Sequence, residues 1–308
     1  MEYEIKTIPE DFFVREIISI KAAEKGDFSY YWLKKKDFST LEAAETISKR
    51  LNVPLKNINF AGTKDKKAVT EQMISIKRGS KNNYDFNSGK ITLEFFGFGD
   101  EPINLGSNKG NYFEIVLRNA EAPEKKNWMI NYFDEQRFSE KNVEVGRAIV
   151  KRDFKKAAEL LGISAEKNDF VGAIRKISKK LLRMYVHAYQ SYLWNKSVSE
   201  LLDSKKKIKY SLGELSVPEK KQKKFSFPIV GFGTEEKKAK EILEGEQINQ
   251  RNFIIKQIPE ISSEGTERDA VVNIKDLKIE DLGDKKIKLS FTLPKGCYAT
   301  MFVKQLFI

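Results

Sequence analysis

A single acid, Asp65, stands among Lys64, Lys66 and Lys67 in the loop Phe60-Ala61-Gly62-Thr63-Lys64-Asp65-Lys66-Lys67-Ala68. Cations this close favour the charged form of a carboxylate. An ionised carboxylate on a loop beside a basic surface suits a nucleophile or a base acting on a bound nucleotide. On these residues alone a solvated charged turn is the plainer reading. Few other reactive groups are on offer, for the chain has one Cys, Cys297, and one His, His187. These cannot form an internal disulfide or a Cys/His zinc site. Any Ser-His-Asp or Cys-His arrangement passes through His187, which lies in the helical run MYVHAYQSYLWN and reads as a packed or partly exposed side chain. No GxxxxGK[ST] is present, and Gly231-Phe232-Gly233 lacks the third glycine of a dinucleotide fingerprint, so it reads as a turn. These absences weigh against an NTPase, a dehydrogenase or a glycine-loop methyltransferase. Carboxylate, lysine, tyrosine and backbone are left to carry the chemistry.

The charge balance indicates a partner. Among 308 residues, 56 Lys and Arg face 44 Asp and Glu, a net +12, and residues 139–272 carry 27 of the basic and 19 of the acidic ones. Lysine clusters fall at 205–209 and 220–224. Clustered lysines in a basic chain mark a candidate polyanion binder; solubilising surface charge is the plainer alternative. Asn131-Tyr132-Phe133, followed by Glu135-Gln136-Arg137-Phe138, and Tyr298 in Gly296-Cys297-Tyr298-Ala299-Thr300 supply flat rings of the kind unstacked bases need, although aromatic residues are more often core.

The elements that must position these residues change character along the chain. Phe12–Ile17 alternates as a strand with one wet face. Ser39 with Glu42 forms a capping box for a helix that places Leu41, Ala44, Ile47 and Leu51 on one stripe and stops before Pro54. Short apolar runs at 58–60 and 73–76 flank the Asp65 loop, and 90–96 and 112–118 read as strands. From about 139 the period is helical, over 143–161 and over 170–202, the latter breaking once. Residues 234–245 are again helical, and 285–308 read as a strand, a Pro-Lys-Gly turn and a closing element. At 40% apolar and 11% aromatic residues the chain holds enough for one large or two medium cores. No run reaches the ~18 apolar residues of a membrane span, and the start MEYEIKTIPEDF lacks a secretory core, which points to the cytoplasm.

Taken together these segments resemble the TruD family of tRNA pseudouridine synthases, in its archaeal type. The segments that carry the resemblance run in order over nearly the whole chain: Lys6-x-x-Pro9-Glu10-Asp11-Phe12-x-Val14; Gly62-Thr63-Lys64-Asp65 with Ala68-Val69-Thr70-Glu71-Gln72; Lys109-Gly110-Asn111-x-Phe113; Asn131-Tyr132-Phe133-x-x-Gln136-Arg137-Phe138; Gln190-Ser191-x-Leu193-x-Asn195; and Leu293-Pro294-x-Gly296-x-Tyr298-Ala299-Thr300. The second is the most specific. The resemblance implies an α+β fold. A mixed, largely antiparallel sheet forms a discontinuous catalytic domain from 1–138 and 273–308, and 139–272 is an inserted, mainly helical α/β domain, with RNA lying between the two.

It further implies isomerisation of a uridine in tRNA, by family expectation at position 13, to pseudouridine, with no cofactor and no metal, by a monomer. Asp65 matches the catalytic aspartate and Lys6 a lysine that pairs with it. Phe12, Asn131, Phe133 and Tyr298 match contacts to the target nucleotide. The flipped-out uridine loses its N-glycosidic bond with the help of Asp65, which attacks C1′, adds to C6 or takes a C2′ proton. The freed uracil turns and rejoins through C5. Three departures stand out: Asp134 and Ser139 where the family has glycine, and Ile130 where proline is common. Asp134 is expected to put a negative charge near a passing phosphate. A non-catalytic tRNA-binding or folding protein of the same fold is the alternative.

Overall fold

A computed structural model describes residues 3–138 and 141–308; Ser139 lies outside them. The chain divides into two compact units, the first made of residues 1–127, 273–299 and 307, the second of 128–272, 300–306 and 308. By packing, residues 128–138 and 300–306 thus lie with the second unit, although the motif boundaries assign them to the first.

The first unit opens with β1 (Glu4–Ile5), β2 (Phe12–Ile17), β3 (Phe28–Lys36), α1 (Thr40–Leu51), β4 (Ile58–Phe60), β5 (Val69–Lys77), β6 (Tyr84–Phe86), β7 (Ile91–Gly99) and β8 (Gly110–Arg118). The second contains β9 (Trp128–Ile130), α2 (Asn142–Val150), α3 (Phe154–Leu161), α4 (Phe170–Arg175), α5 (Lys179–Leu202), β10 (Lys207–Tyr210), β11 (Gly213–Ser216), β12 (Ser226–Ile229), α6 (Glu236–Leu243), β13 (Thr266–Asp269) and β14 (Val271–Asn273). The chain then returns to the first unit with β15 (Lys275–Asp281) and β16 (Lys286–Pro294) and ends in α7 (Ala299–Leu306).

One ten-stranded sheet, in the order β15-β16-β8-β2-β5-β3-β7-β6 with β1 on β8 and β4 on β5, forms the first unit. Its pairings are antiparallel except β2 with β5. Alternation sends Tyr31 and Leu33 of β3, Ile74 and Ile76 of β5 and Ile91 and Leu93 of β7 into one core beneath α1. The helix begins with the Ser39–Glu42 capping box and ends on Asn52 in the left-handed region. Leu41, on the stripe the helical period predicts, is 47% exposed. The buried stripe is instead Thr40, Ala43, Ala44 and Ile47, because the Thr40 hydroxyl is drawn inward to donate to Gln72 Oε1 at 2.8 Å.

In the second unit the predicted helix 143–161 breaks at Asp153, whose carboxylate caps α3 by accepting from Lys156 N–H at 2.9 Å. The break in 170–202 falls at Ser178, the N-cap of α5. The first lysine cluster lies on the hairpin β10–β11, where Lys207 faces Ser216 and Tyr210 faces Gly213. Two further strand pairs, β12–β13 and β9–β14, complete the unit. Among the described residues no helix is long and apolar enough to cross a membrane.

Candidate active site

The parallel pair explains how two segments far apart in sequence meet. Phe13 lies opposite Val69 and Arg15 opposite Glu71. Parallel strands run the same way, so the segments leading into them, 6–11 and 61–68, arrive at one rim of the sheet. There the Lys6 ammonium donates to Asp65 Oδ2, with the two side chains 16% and 33% exposed. The same ammonium sits 4.0 Å from the centroid of the Phe12 ring, a cation–π contact. Phe12 is 2% exposed and turns its edge to Phe113. Lys6, Asp65 and Phe12 therefore form one cluster.

Each approach is held firmly. Pro9–Asp11 is a single 3₁₀ turn. Asp11 is buried, and its two oxygens accept from Arg118 Nε and Nη2, each at 2.9 Å, while Oδ2 also accepts from Ile8 N–H at 3.2 Å. Burial disfavours its charge, but Arg118 and the Ile8 amide outweigh burial and hold the carboxyl below the usual range. Lys6 adopts φ 59°, in the left-handed region, a conformation that surrounding contacts must enforce on a residue with a Cβ.

The Asp65 loop is anchored residue by residue. Gln72 donates from Nε2 to Gly62 O at 2.9 Å. Thr40 Oγ1 accepts from the Lys64 amide at 2.8 Å. Lys35 Nζ donates to Asp65 O at 2.9 Å and to Phe38 O at 2.6 Å. The neighbouring lysines are drawn away from the carboxylate: Lys64 pairs with the buried Glu16 at 2.6 Å and Lys66 with Glu42 at 2.6 Å. Of the three lysines flanking Asp65 in sequence, two thus have other partners; the cation at Asp65 is the distant Lys6. Gln72→Leu leaves the Thr40 hydroxyl and the Gly62 carbonyl without their shared partner. It is expected to lower unfolding stability by about 1–3 kcal/mol, read from the urea midpoint at unchanged slope.

The last turn of the first unit reaches the same loop through residues 104–109. Gly106 N–H donates to Ala61 O at 2.7 Å, Lys295 Nζ donates to Gly106 O at 3.1 Å, and Lys295 N–H donates to Lys109 O at 3.2 Å. Gly110 is required here, because a Cβ would lie 2.3 Å from Leu293 O. Tyr298 is half-buried at the N-cap of α7.

Asn131 and Phe133 belong to the second unit. Asn131 donates from Nδ2 to Asp269 O at 3.0 Å, and its Oδ1 accepts from Arg268 Nη2 at 2.8 Å. The Arg268 guanidinium lies 3.9 Å above the Phe133 ring. Asn195 clasps the Phe133 backbone, accepting from its N–H at 2.9 Å and donating to its carbonyl at 3.0 Å, which fastens the Asn131-Tyr132-Phe133 segment to α5. Phe133, Arg137, His187, Gln190, Thr266 and Arg268 line a cavity of about 410 Å³. Desolvation, with Arg137 and Arg183 nearby, pushes the His187 pKa down.

Two of the departures acquire a structural meaning. Asp134 does not face outward towards a phosphate: it is buried, and Oδ2 accepts from Thr300 Oγ1 at 2.8 Å. Burial in a hydrogen bond replaces the exposed charge predicted for it. Ile130 uses its N–H, which a proline lacks, to donate to Gln305 Oε1 at 2.8 Å, while Gln305 Nε2 returns a bond to Ile130 O at 2.8 Å.

A largely antiparallel sheet with one internal parallel pair thus carries at its rim a loop aspartate paired with a lysine. Comparison with known proteins places this architecture among the tRNA pseudouridine synthases. The "tRNA pseudouridine synthase D" of Aquifex aeolicus is 33% identical over 380 residues, covering 100% of this chain and 98% of its own. The "Probable tRNA pseudouridine synthase D" of Nanoarchaeum equitans is 30% identical, covering 99% and 98%. The crystal structure of the Methanosarcina mazei protein assigned to TruD superposes with a TM-score of 0.71 at 25% identity, covering 98% of this chain and 92% of that one. The sequence model of tRNA pseudouridine synthase D (TruD) matches residues 1–168, 160–229 and 219–306. The chain belongs to the TruD family.

Proposed function

We propose that this protein isomerises a uridine of tRNA to pseudouridine, at position 13 by family expectation, with Asp65 as the reacting carboxylate. The observation that carries the proposal is the Lys6–Asp65 pair at the sheet rim, on a loop anchored at Gly62, Lys64 and Asp65. A carboxylate that is partly open to solvent, salt-bridged and fixed in direction can attack C1′, add to C6 or take a C2′ proton. Each route breaks the C1′–N1 bond and lets the base rejoin C1′ through C5; C5 then loses its proton and N1 gains one, so the product is an isomer of the substrate. Lys6 fixes the direction of the carboxylate by donating to Oδ2. Phe12, Asn131, Phe133 and Tyr298 are the proposed contacts to the target nucleotide. Ring faces suit this task because they hold a uracil without fixing its rotation in its own plane. The enzyme works in the cytoplasm, as a monomer and without cofactor or metal.

Release of tritium from tRNA labelled at uridine C5 tests the proposal. Release in proportion to pseudouridine formed supports it, and no release from any tRNA would leave a non-catalytic tRNA-binding protein. The basic surface of the second unit supplies binding. Reversing the charge of the lysines in 205–209 and 220–224 is expected to weaken tRNA binding and to flatten its salt dependence. The slope of log affinity against log salt should fall by about one for each phosphate no longer neutralised. Filter binding between 50 and 200 mM salt reads this directly, and an unchanged slope would show those clusters to face away from RNA.

A further inference from the structure

Among the described residues, Lys35 is the one lysine that ranks with the largest side chains of less than 2% exposure, and its own value is 0%. Burying an ammonium is costly unless something at the site needs it. On β3 it faces the same way as Tyr31 and Leu33, opposite Thr70 of β5 and Ile91 of β7, and it ends on two backbone carbonyls, those of Phe38 and Asp65. A side chain serving only the core would be cheaper as methionine or leucine. We propose that Lys35 is a positioning residue for Asp65: as a cation sealed beneath the loop, it holds the Asp65 carbonyl and so aims the carboxylate at Lys6.

The proposal rests on Asp65 being the reacting carboxylate. The charges that face Lys35 are Asp65 and Lys64 of the loop and Glu42 of α1; its strand neighbours Thr70 and Ile91 are neutral. Desolvation pulls the Lys35 pKa down to about 8, although Asp65 opposes the fall. Positioning by a cation therefore weakens as pH rises through 8, whereas a neutral amine donates weaker hydrogen bonds and contributes no positive potential.

Single-turnover assays of the full chain on tRNA provide the test. Lys35→Met is expected to slow the chemical step on the order of 100-fold with tRNA affinity unchanged. Lys35→Arg keeps its charge throughout the accessible range; it is expected to restore part of the rate and to lack the fall in rate expected of the wild type above about pH 8. Should either variant not fold, nitrogen-15 NMR of the wild type follows the Lys35 ammonium directly, and the Asp65 backbone signal must shift with the same midpoint. Full activity in Lys35→Met, an alkaline fall shared by wild type and Lys35→Arg, or an Asp65 signal indifferent to the Lys35 titration overturns the proposal. A wild type that releases no tritium from any tRNA overturns the underlying assignment of Asp65 instead, so the two failures are told apart.

Discussion

Asp65→Asn is expected to reduce turnover by about 1,000-fold or more while tRNA binding stays within a small factor of wild type. The reason is geometric. Asparagine preserves the size of the side chain, and the loop anchors at Gly62, Lys64 and the Asp65 carbonyl involve other atoms, so the site keeps its shape and loses only its charge. Binding is expected to depend on the basic surface and to be indifferent to one neutralised carboxylate. Tritium release and filter binding on the same preparation separate the two quantities. Wild-type release by the Asn variant would remove Asp65 from the reaction, whereas loss of both activities would mean that the loop itself had collapsed.

Lys6→Met is expected to slow the chemical step by about 100-fold while tRNA binding stays near wild type. Methionine keeps an unbranched side chain of similar length but removes the cation that donates to Asp65 Oδ2 and lies over the Phe12 ring. Without it the carboxylate loses the partner that fixes its direction. Single-turnover rate and filter binding on the same preparation are the measurements, and a full rate in the variant would remove Lys6 from the site. Lys6→Arg is expected to restore part of the rate but not all of it, because a planar guanidinium does not replace an ammonium point for point.

The sequence reveals the Asp65 loop and conceals its anchors. Asp65 is readable from its charged neighbours, yet those neighbours suggest the wrong cations: Lys64 and Lys66 bond to Glu16 and Glu42, carboxylates in separate elements, and local spacing carries no information about such pairings. Lys6 becomes visible through family resemblance, and the structure supplies the reason, since a parallel strand pair spanning an intervening crossover cannot be inferred from residues 6 and 65 alone. Lys35 is hidden in the run Lys34-Lys35-Lys36, which looks uniformly solvated. Once Phe28–Lys36 is known to be a strand, period-two alternation turns Lys35 inward with Tyr31 and Leu33 and leaves its neighbours outside. Glu16 follows the same rule with Phe12 and Val14. Helix α1 is legible because capping is local chemistry, whereas the inward turn of Thr40 depends on Gln72, a partner thirty-two residues away.

The discontinuous sheet has a consequence for synthesis on the ribosome. Strand β8 is complete at Arg118, but its partner β16, which pairs with it over nine residues from Lys286 to Pro294, is translated only after residues 128–272 of the second unit. At typical elongation rates the flank of β8 waits roughly ten to thirty seconds for that partner. Throughout this interval a strand bearing Phe113, Ile115 and Leu117 presents unpaired backbone groups to whatever passes. Nascent chains halted before residue 286 should therefore depend more on holding chaperones than the released protein does.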